Sequence, residues 1–260
     1  SKYISKKWRE NCEEERLLGV SFTGIMDCPL TNGIVNGLED RLERWKDVAI
    51  QVNKDLAETI GISPSAAITC CKPSGTVSQL VDAASGIHTR YAPYYIRTVR
   101  ADKKDPLAKM MVDLGFPVED DITKPKDNYV FSFPIKSPEN ALYKDSVTAI
   151  SQLEFWLMYK KHWTEHNPSV TITVKEHEWL GVGAWVYDHF DDMTGVSFLP
   201  ASDHIYKQAP YQECTEAEYN ELNNKLPKEV AWCQLAKYET TDNTEGMQIL
   251  ACSAAGGCEI

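Results

Sequence analysis

The sequence predicts an α/β fold in which short strands alternate with helices and pair in parallel. Three observations carry this expectation. Apolar residues recur every three or four positions from Leu38 to Ile60, the β-branched run Val170-Thr171-Ile172-Thr173-Val174 follows a second helical period, and short apolar runs end at turn-forming residues.

Taken in order, Leu42, Trp45, Val48, Val52, Leu56 and Ile60 form the stripe of an amphipathic helix beginning at Leu38, and Gly61 with Ser63-Pro64 stops it. Residues 66–71 are apolar and too few for a helix. They read as a buried strand entering the loop Lys72-Pro73-Ser74-Gly75-Thr76, with a helix from about Val77. Residues 129–135 alternate apolar with polar side chains as a strand does. Val147, Ile150, Leu153 and Leu157 give a helix up to about Trp163, ahead of the strand at 170–174. Trp179, Val182, Trp185 and Val186 are spaced as a helix, residues 195–199 read as a short strand, and Thr215 with Glu218 forms a capping box that opens a further helix. From about Glu239 the chain turns polar, then small and glycine-rich, which predicts one folded body over residues 1–238 and a mobile tail over 239–260.

Lys plus Arg number 27 against 38 for Asp plus Glu in 260 residues, and the net charge of −11 opposes attraction to duplex DNA. No apolar run approaches the roughly 20 residues that span a bilayer, so no membrane partner is expected. The eight cysteines are spread irregularly in a chain larger than disulfide-stapled secreted domains, and the opening Ser1-Lys2-Tyr3 lacks the profile of a secretory signal. A trimmed or spliced beginning and a reducing, cytoplasmic setting are the expectation.

Several patterns could carry chemistry, and each has a plain structural alternative. Pro73-Ser74-Gly75-Thr76-Val77-Ser78 lies between a strand and a helix, where backbone amides and three hydroxyls could converge on an anion, or where one hydroxyl simply caps the helix. Arg90, Arg97 and Arg100 could add positive potential there, or pair with carboxylates. Tyr91, Tyr94 and Tyr95 could stack on a base, or pack. His162-Trp163-Thr164-Glu165-His166 matches a metallopeptidase pattern, but Asn167-Pro168 should end the helix before the two histidines share a face. No metal site is expected. Cys12, Cys28, Cys214 and Cys233 read as small packed groups. Cys252 and Cys258, five residues apart in the tail, could exchange disulfides or stand as unreacted surface thiols.

Cys71-Lys72-Pro73-Ser74-Gly75-Thr76-Val77-Ser78-Gln79-Leu80, Ser85-Gly86-Ile87-His88 and Tyr94-Tyr95-Ile96-Arg97 together resemble adenosylcobalamin-dependent (class II) ribonucleotide reductases. So do Arg16-Leu17-Leu18-Gly19-Val20-Ser21, His166-Asn167-Pro168-Ser169-Val170-Thr171, Glu178-Trp179-Leu180, Gly195-Val196-Ser197-Phe198-Leu199-Pro200 and Gln208-Ala209-Pro210-Tyr211, which stand in family order across nearly the whole chain. The resemblance implies the C-terminal portion of a ten-stranded α/β barrel, of the monomeric type acting on triphosphates. It further implies adenosylcobalamin as cofactor, with Mg2+ accompanying the nucleotide, and a thiyl radical on a cysteine that precedes this chain. Pro73, Ser74, Gly75, Thr76 and Val77 would hold the substrate phosphates. Cys252 and Cys258 would re-reduce the active-site disulfide and be restored by a thioredoxin-like protein. The radical loop and the N-terminal half of the barrel are absent from the chain, so a split enzyme is expected, with that half supplied as a separate polypeptide. A noncatalytic nucleotide-binding or regulatory subunit is the alternative.

Overall fold

A computed structural model describes residues 5–201 and 206–240. In chain order its elements are α1 (Lys6–Glu15), β1 (Val20–Ser21), α2 (Leu38–Ile60), β2 (Thr69–Cys70), α3 (Val77–Leu80), β3 (Tyr94–Asp102), α4 (Pro106–Asp113), β4 (Val118–Asp120), β5 (Asn128–Lys136), α5 (Ala149–His162), β6 (Ser169–Val174), α6 (Trp179–Asp188), β7 (Gly195–Pro200), β8 (Tyr211–Glu213) and α7 (Glu216–Lys225). They fall into two compact units. One comprises the described residues up to 90 with Glu139–Ala201, the other Tyr91–Pro138 with the described residues from 206. No helix among the described residues is long and apolar enough to cross a membrane.

The first unit is organised around α5. Thr148 caps it, its hydroxyl accepting from the Ser151 amide at 3.1 Å while Ser151 Oγ accepts from the Thr148 amide at 2.9 Å. Leu153, Trp156 and Tyr159 of this helix are fully buried with Trp163, Leu42, Ile25, Ile172 and Val174, and burial stabilises the fold by about 2–3 kcal/mol for each large side chain. Each buried aromatic has a partner for its polar atom: Trp156 Nε1 donates to the Pro168 carbonyl at 3.3 Å, Trp163 Nε1 to the Cys70 carbonyl at 2.8 Å and Tyr159 Oη to the Thr31 carbonyl at 2.8 Å. Two parallel pairs flank this core, β1 with β2 (Val20↔Thr69) and β6 with β7 (Ser169↔Gly195 through Val174↔Pro200).

The second unit holds a sheet in the order β4-β5-β3-β8, antiparallel throughout. The expected parallel pairing therefore holds in the first unit alone, and β5 and β6, which the sequence joins through a helix, lie in different sheets. Val99, Ala101, Phe131 and Phe133 of the sheet meet Leu107, Ala108 and Met111 of α4 around a cavity of about 440 Å3. Asp121 is buried beside the sheet. Burial alone would raise its pKa, but hydrogen bonds from the Thr123 amide and hydroxyl and from Asn128, together with the Arg100 charge, outweigh that and hold it down at about 2. The capping box at α7 forms as expected, with the Glu218 amide donating to Thr215 Oγ1 at 3.2 Å and the Thr215 amide to Glu218 Oε2 at 2.8 Å.

Three elements depart from the sequence expectation, the first being the strand expected over 66–71, which pairs only at Thr69–Cys70. Helix α2 has its expected bounds, but only the leading part of its stripe is covered: Leu38 and Leu42 are buried, whereas Val48, Val52, Leu56 and Ile60 are exposed. The helix expected from Val77 is a single turn, ended as Asp82 enters the left-handed region at φ 46°.

Candidate functional site

The segment 72–78 leaves β2 and crosses to α3. At its start the Lys72 amide donates to Ser21 Oγ at 3.0 Å. Its three hydroxyls divide in role. Ser78 is buried and donates through Oγ to the Ser74 carbonyl, so it locks the loop from beneath. Ser74 is half-buried, with Oγ 3.3 Å from Thr23 Oγ1 and its amide donating to Ser85 Oγ at 2.9 Å. Thr76 is exposed and makes no side-chain capping bond. Gly75 and Val77 are exposed beside it. The opening amides of a helical turn have no carbonyl inside that turn to receive them, so an anion here would meet individual amides and the Thr76 hydroxyl. A single turn contributes little dipole of its own.

Two glycines explain the shape of the loop. A Cβ on Gly86, at φ +53°, would stand 2.7 Å from the Lys72 carbonyl oxygen, so only glycine lets the 84–88 segment press against the loop. A Cβ on Gly75 would meet nothing within 4 Å. The fold leaves that position open toward solvent.

Behind the loop lies a buried ion pair. Arg90 donates through Nε to Asp27 Oδ1 at 2.9 Å and through Nη2 to Asp27 Oδ2 at 2.8 Å, and Asp27 also accepts from the Ala84 amide at 2.8 Å. Nη2 of the same arginine reaches the Asp82 carbonyl at 2.6 Å. Arg90 thus pairs with carboxylates, one of the two roles open to it from sequence. Arg97 and Arg100 belong to the second unit, where Arg97 donates to Tyr211 Oη at 2.8 Å and Arg100 faces Asp121 at 3.4 Å. The cation carried by the loop itself is Lys72, which is exposed.

The tyrosines pack: Tyr91 stacks on Tyr211 with centroids 5.7 Å apart, Tyr95 meets Tyr211 at 5.9 Å and Tyr94 meets Tyr219 at 5.3 Å. The histidines of the metallopeptidase-like pattern point to different partners. His162 Nδ1 lies 2.7 Å from Glu43 Oε1, His166 Nε2 lies 2.6 Å from the Leu18 carbonyl, and Glu165 accepts from the Ile68 and Thr69 amides at 2.8 and 3.2 Å. Cys28 and Cys233, expected to pack, are exposed, and Cys12 and Cys214 are half-buried. Cys71 is buried, and burial with the neighbouring Cys70 pushes its thiol up to about 12. Cys252 and Cys258 lie outside the described residues.

The residues supporting the loop, Thr23, Asp27, Ser85 and His88, escaped the sequence reading of the site. Ser85-Gly86-Ile87-His88 stood out as a motif without a role, and nothing local marks Thr23 or Asp27.

No protein-family model matches the chain. It is 29% identical over 229 residues to an adenosylcobalamin-dependent ribonucleoside-triphosphate reductase of Euglena gracilis, covering 86% of this chain and 31% of that protein. A counterpart from Dictyostelium discoideum is 32% identical over 80% of this chain and 28% of its own length. The reductase of Lactobacillus leichmannii is 26% identical over 84% of this chain and 33% of its own. The chain is a homologue of the adenosylcobalamin-dependent ribonucleotide reductases. It spans about a third of the length of these relatives. A crystal structure of a B12-dependent (class II) ribonucleotide reductase superimposes with a TM-score of 0.80 at 22% identity, over 94% of this chain and 38% of that one. The chain therefore has the α/β fold of the matching part of that reductase. Among the described residues the strands form three separate sheets of two, four and two strands.

Proposed function

We propose that this chain is the C-terminal part of a radical ribonucleotide reductase, binding the phosphates of a ribonucleoside triphosphate at Pro73, Ser74, Gly75, Thr76 and Val77. The observation that carries the reading is the division of labour in the loop: Ser74 and Ser78 are spent on fixing it, while Gly75, Thr76 and Val77 stay exposed. Thr76 would donate its hydroxyl to a phosphate oxygen, Gly75 would let the nucleotide approach backbone closely, and Lys72 would offset part of the ligand's charge. Mg2+ would travel with the triphosphate.

Adenosylcobalamin, when bound, would supply the radical. It would be bound by this chain together with the partner polypeptide, and the radical cysteine is assigned to that partner. Cys252 and Cys258 would reduce the active-site disulfide by exchange: two thiols become a disulfide, their electrons and protons pass to the active-site pair, and a thioredoxin-like dithiol restores them. A cytoplasmic location suits this dependence on free thiols.

Bare apolar surface supports completion by further polypeptide, here the N-terminal part of the reductase as a separate chain. Helix α6 is apolar on both sides. Val182 and Trp185 face the core, while Leu180, Tyr187 and Phe190 at its outer face and end are 91, 84 and 71% exposed. Strand β7 has β6 as its one neighbour among the described strands, and parallel strands are rarely left uncovered.

The test combines the chain with that N-terminal polypeptide, adenosylcobalamin, a dithiol and a ribonucleoside triphosphate. Deoxyribonucleotide formation, lost in Thr76→Val at low substrate and regained at high, is the expected result. Nucleotide binding without turnover would instead establish a noncatalytic nucleotide-binding subunit.

A further inference from the structure

We infer that His88 is a positioning residue for the phosphate loop, tying it to strand β6 through Ser85. The inference rests on the reading of residues 73–77 as a phosphate site and names what holds that site in place.

The Thr171 amide of β6 donates to His88 Nε2 at 3.0 Å, so that nitrogen must carry a lone pair. His88 Nδ1 lies 3.0 Å from the Ser85 carbonyl oxygen, which can only accept, so Nδ1 carries the proton. The two bonds together define one neutral tautomer. Burial acts in the same direction, holding the pKa of His88 below the ordinary histidine value against the contrary pull of the Ser85 carbonyl.

From Ser85 the connection continues outward. Its hydroxyl accepts from the Ser74 amide at 2.9 Å, and the Ser74 carbonyl accepts from Ser78 Oγ. An unbroken run of bonds thus links Thr171, His88, Ser85, Ser74 and Ser78. Its inner end is firm: β6 pairs along its whole length with β7, and its Val170, Ile172 and Val174 are buried. Its outer end is a loop with little regular structure, where a shift of the Ser74 amide would move the neighbouring exposed residues Gly75, Thr76 and Val77. Gly86 makes the link possible by letting the Ser85 segment lie against Lys72. His88 itself would touch no ligand.

A double-mutant cycle on the purified chain separates positioning from mere packing, with ATP and inorganic triphosphate as probes followed by calorimetric titration. His88→Phe keeps the ring and loses both bonds, and Ser85→Ala loses the hydroxyl that holds Ser74. Each should weaken both probes roughly five- to tenfold, the scale of one lost hydrogen bond, and the double variant should be no weaker than His88→Phe alone, because both changes cut one path. His88→Gln, which can still accept from Thr171, should recover part of the affinity and serves if the phenylalanine variant does not fold. Losses that add in the double variant, or unchanged affinity in either single variant, would overturn the inference. Thr76→Val and Gly75→Ala are the control for the underlying site: if they leave both probes bound as before, the phosphate site itself is wrong, whereas their loss beside an unaffected His88 variant would refute His88 alone.

Discussion

Replacing Asp27 with asparagine tests the clasp behind the loop most directly. The side chain is 12% exposed and receives both arms of the Arg90 guanidinium, whose own side chain is 3% exposed, as well as the Ala84 amide. The variant keeps the shape but leaves a buried arginine facing a neutral amide, and the amide nitrogen must oppose a donor whichever way it turns. Breaking a buried pair from one side costs about 3 kcal/mol, which in a chain of this size lowers the melting temperature by about 6–12 °C. Asp82→Asn is the internal comparison. Its carboxylate meets Arg90 at 3.2 Å but is 72% exposed, so its removal should cost less than about 1 kcal/mol. Urea unfolding followed by tryptophan fluorescence measures both. Equal costs in the two variants, or a change below about 0.5 kcal/mol in Asp27→Asn, would refute the claim that burial makes the Asp27 pair count.

Gly86→Ala should destabilise by about 2 kcal/mol or more, since the added carbon meets backbone at a positive φ; Gly75→Ala should be silent in the same melt, and equal effects would contradict the geometry. Asp121, held at about 2 against an ordinary 3.8, contributes stability that is complete above about pH 4 and is lost as the pH falls toward 2. Asp121→Asn should flatten that part of the acid unfolding curve, and an unchanged slope would count against it. Cys71, with its thiol raised to about 12, should resist iodoacetamide at pH 8 in the folded chain while exposed Cys28 and Cys233 react, as peptide mass mapping would show.

Elements with a strong period and a local boundary were legible in the sequence: α2 with its glycine stop, α5, β6 and α7 with its reciprocal cap. Strand β3 was not, because Arg97 and Arg100 interrupt its apolar pattern and its partners are remote, Arg97 pairing with Phe133 on one side and with Tyr211 on the other. Periodicity also says which side of a helix is apolar without saying what covers it, hence the bare Val48, Val52, Leu56 and Ile60. In the candidate site the loop itself was readable from five consecutive residues. Its underpinning was not, since Thr23 reaches Ser74 across 51 positions and Asp27 reaches Arg90 across 63.

The outer face of α6 has a cellular consequence. Leu180, Tyr187 and Phe190, bare among the described residues, would give a newly made copy a handle for chaperones and degradation machinery until they are covered. Steady-state abundance of the chain should then follow the supply of whatever shields that face more closely than its intrinsic robustness.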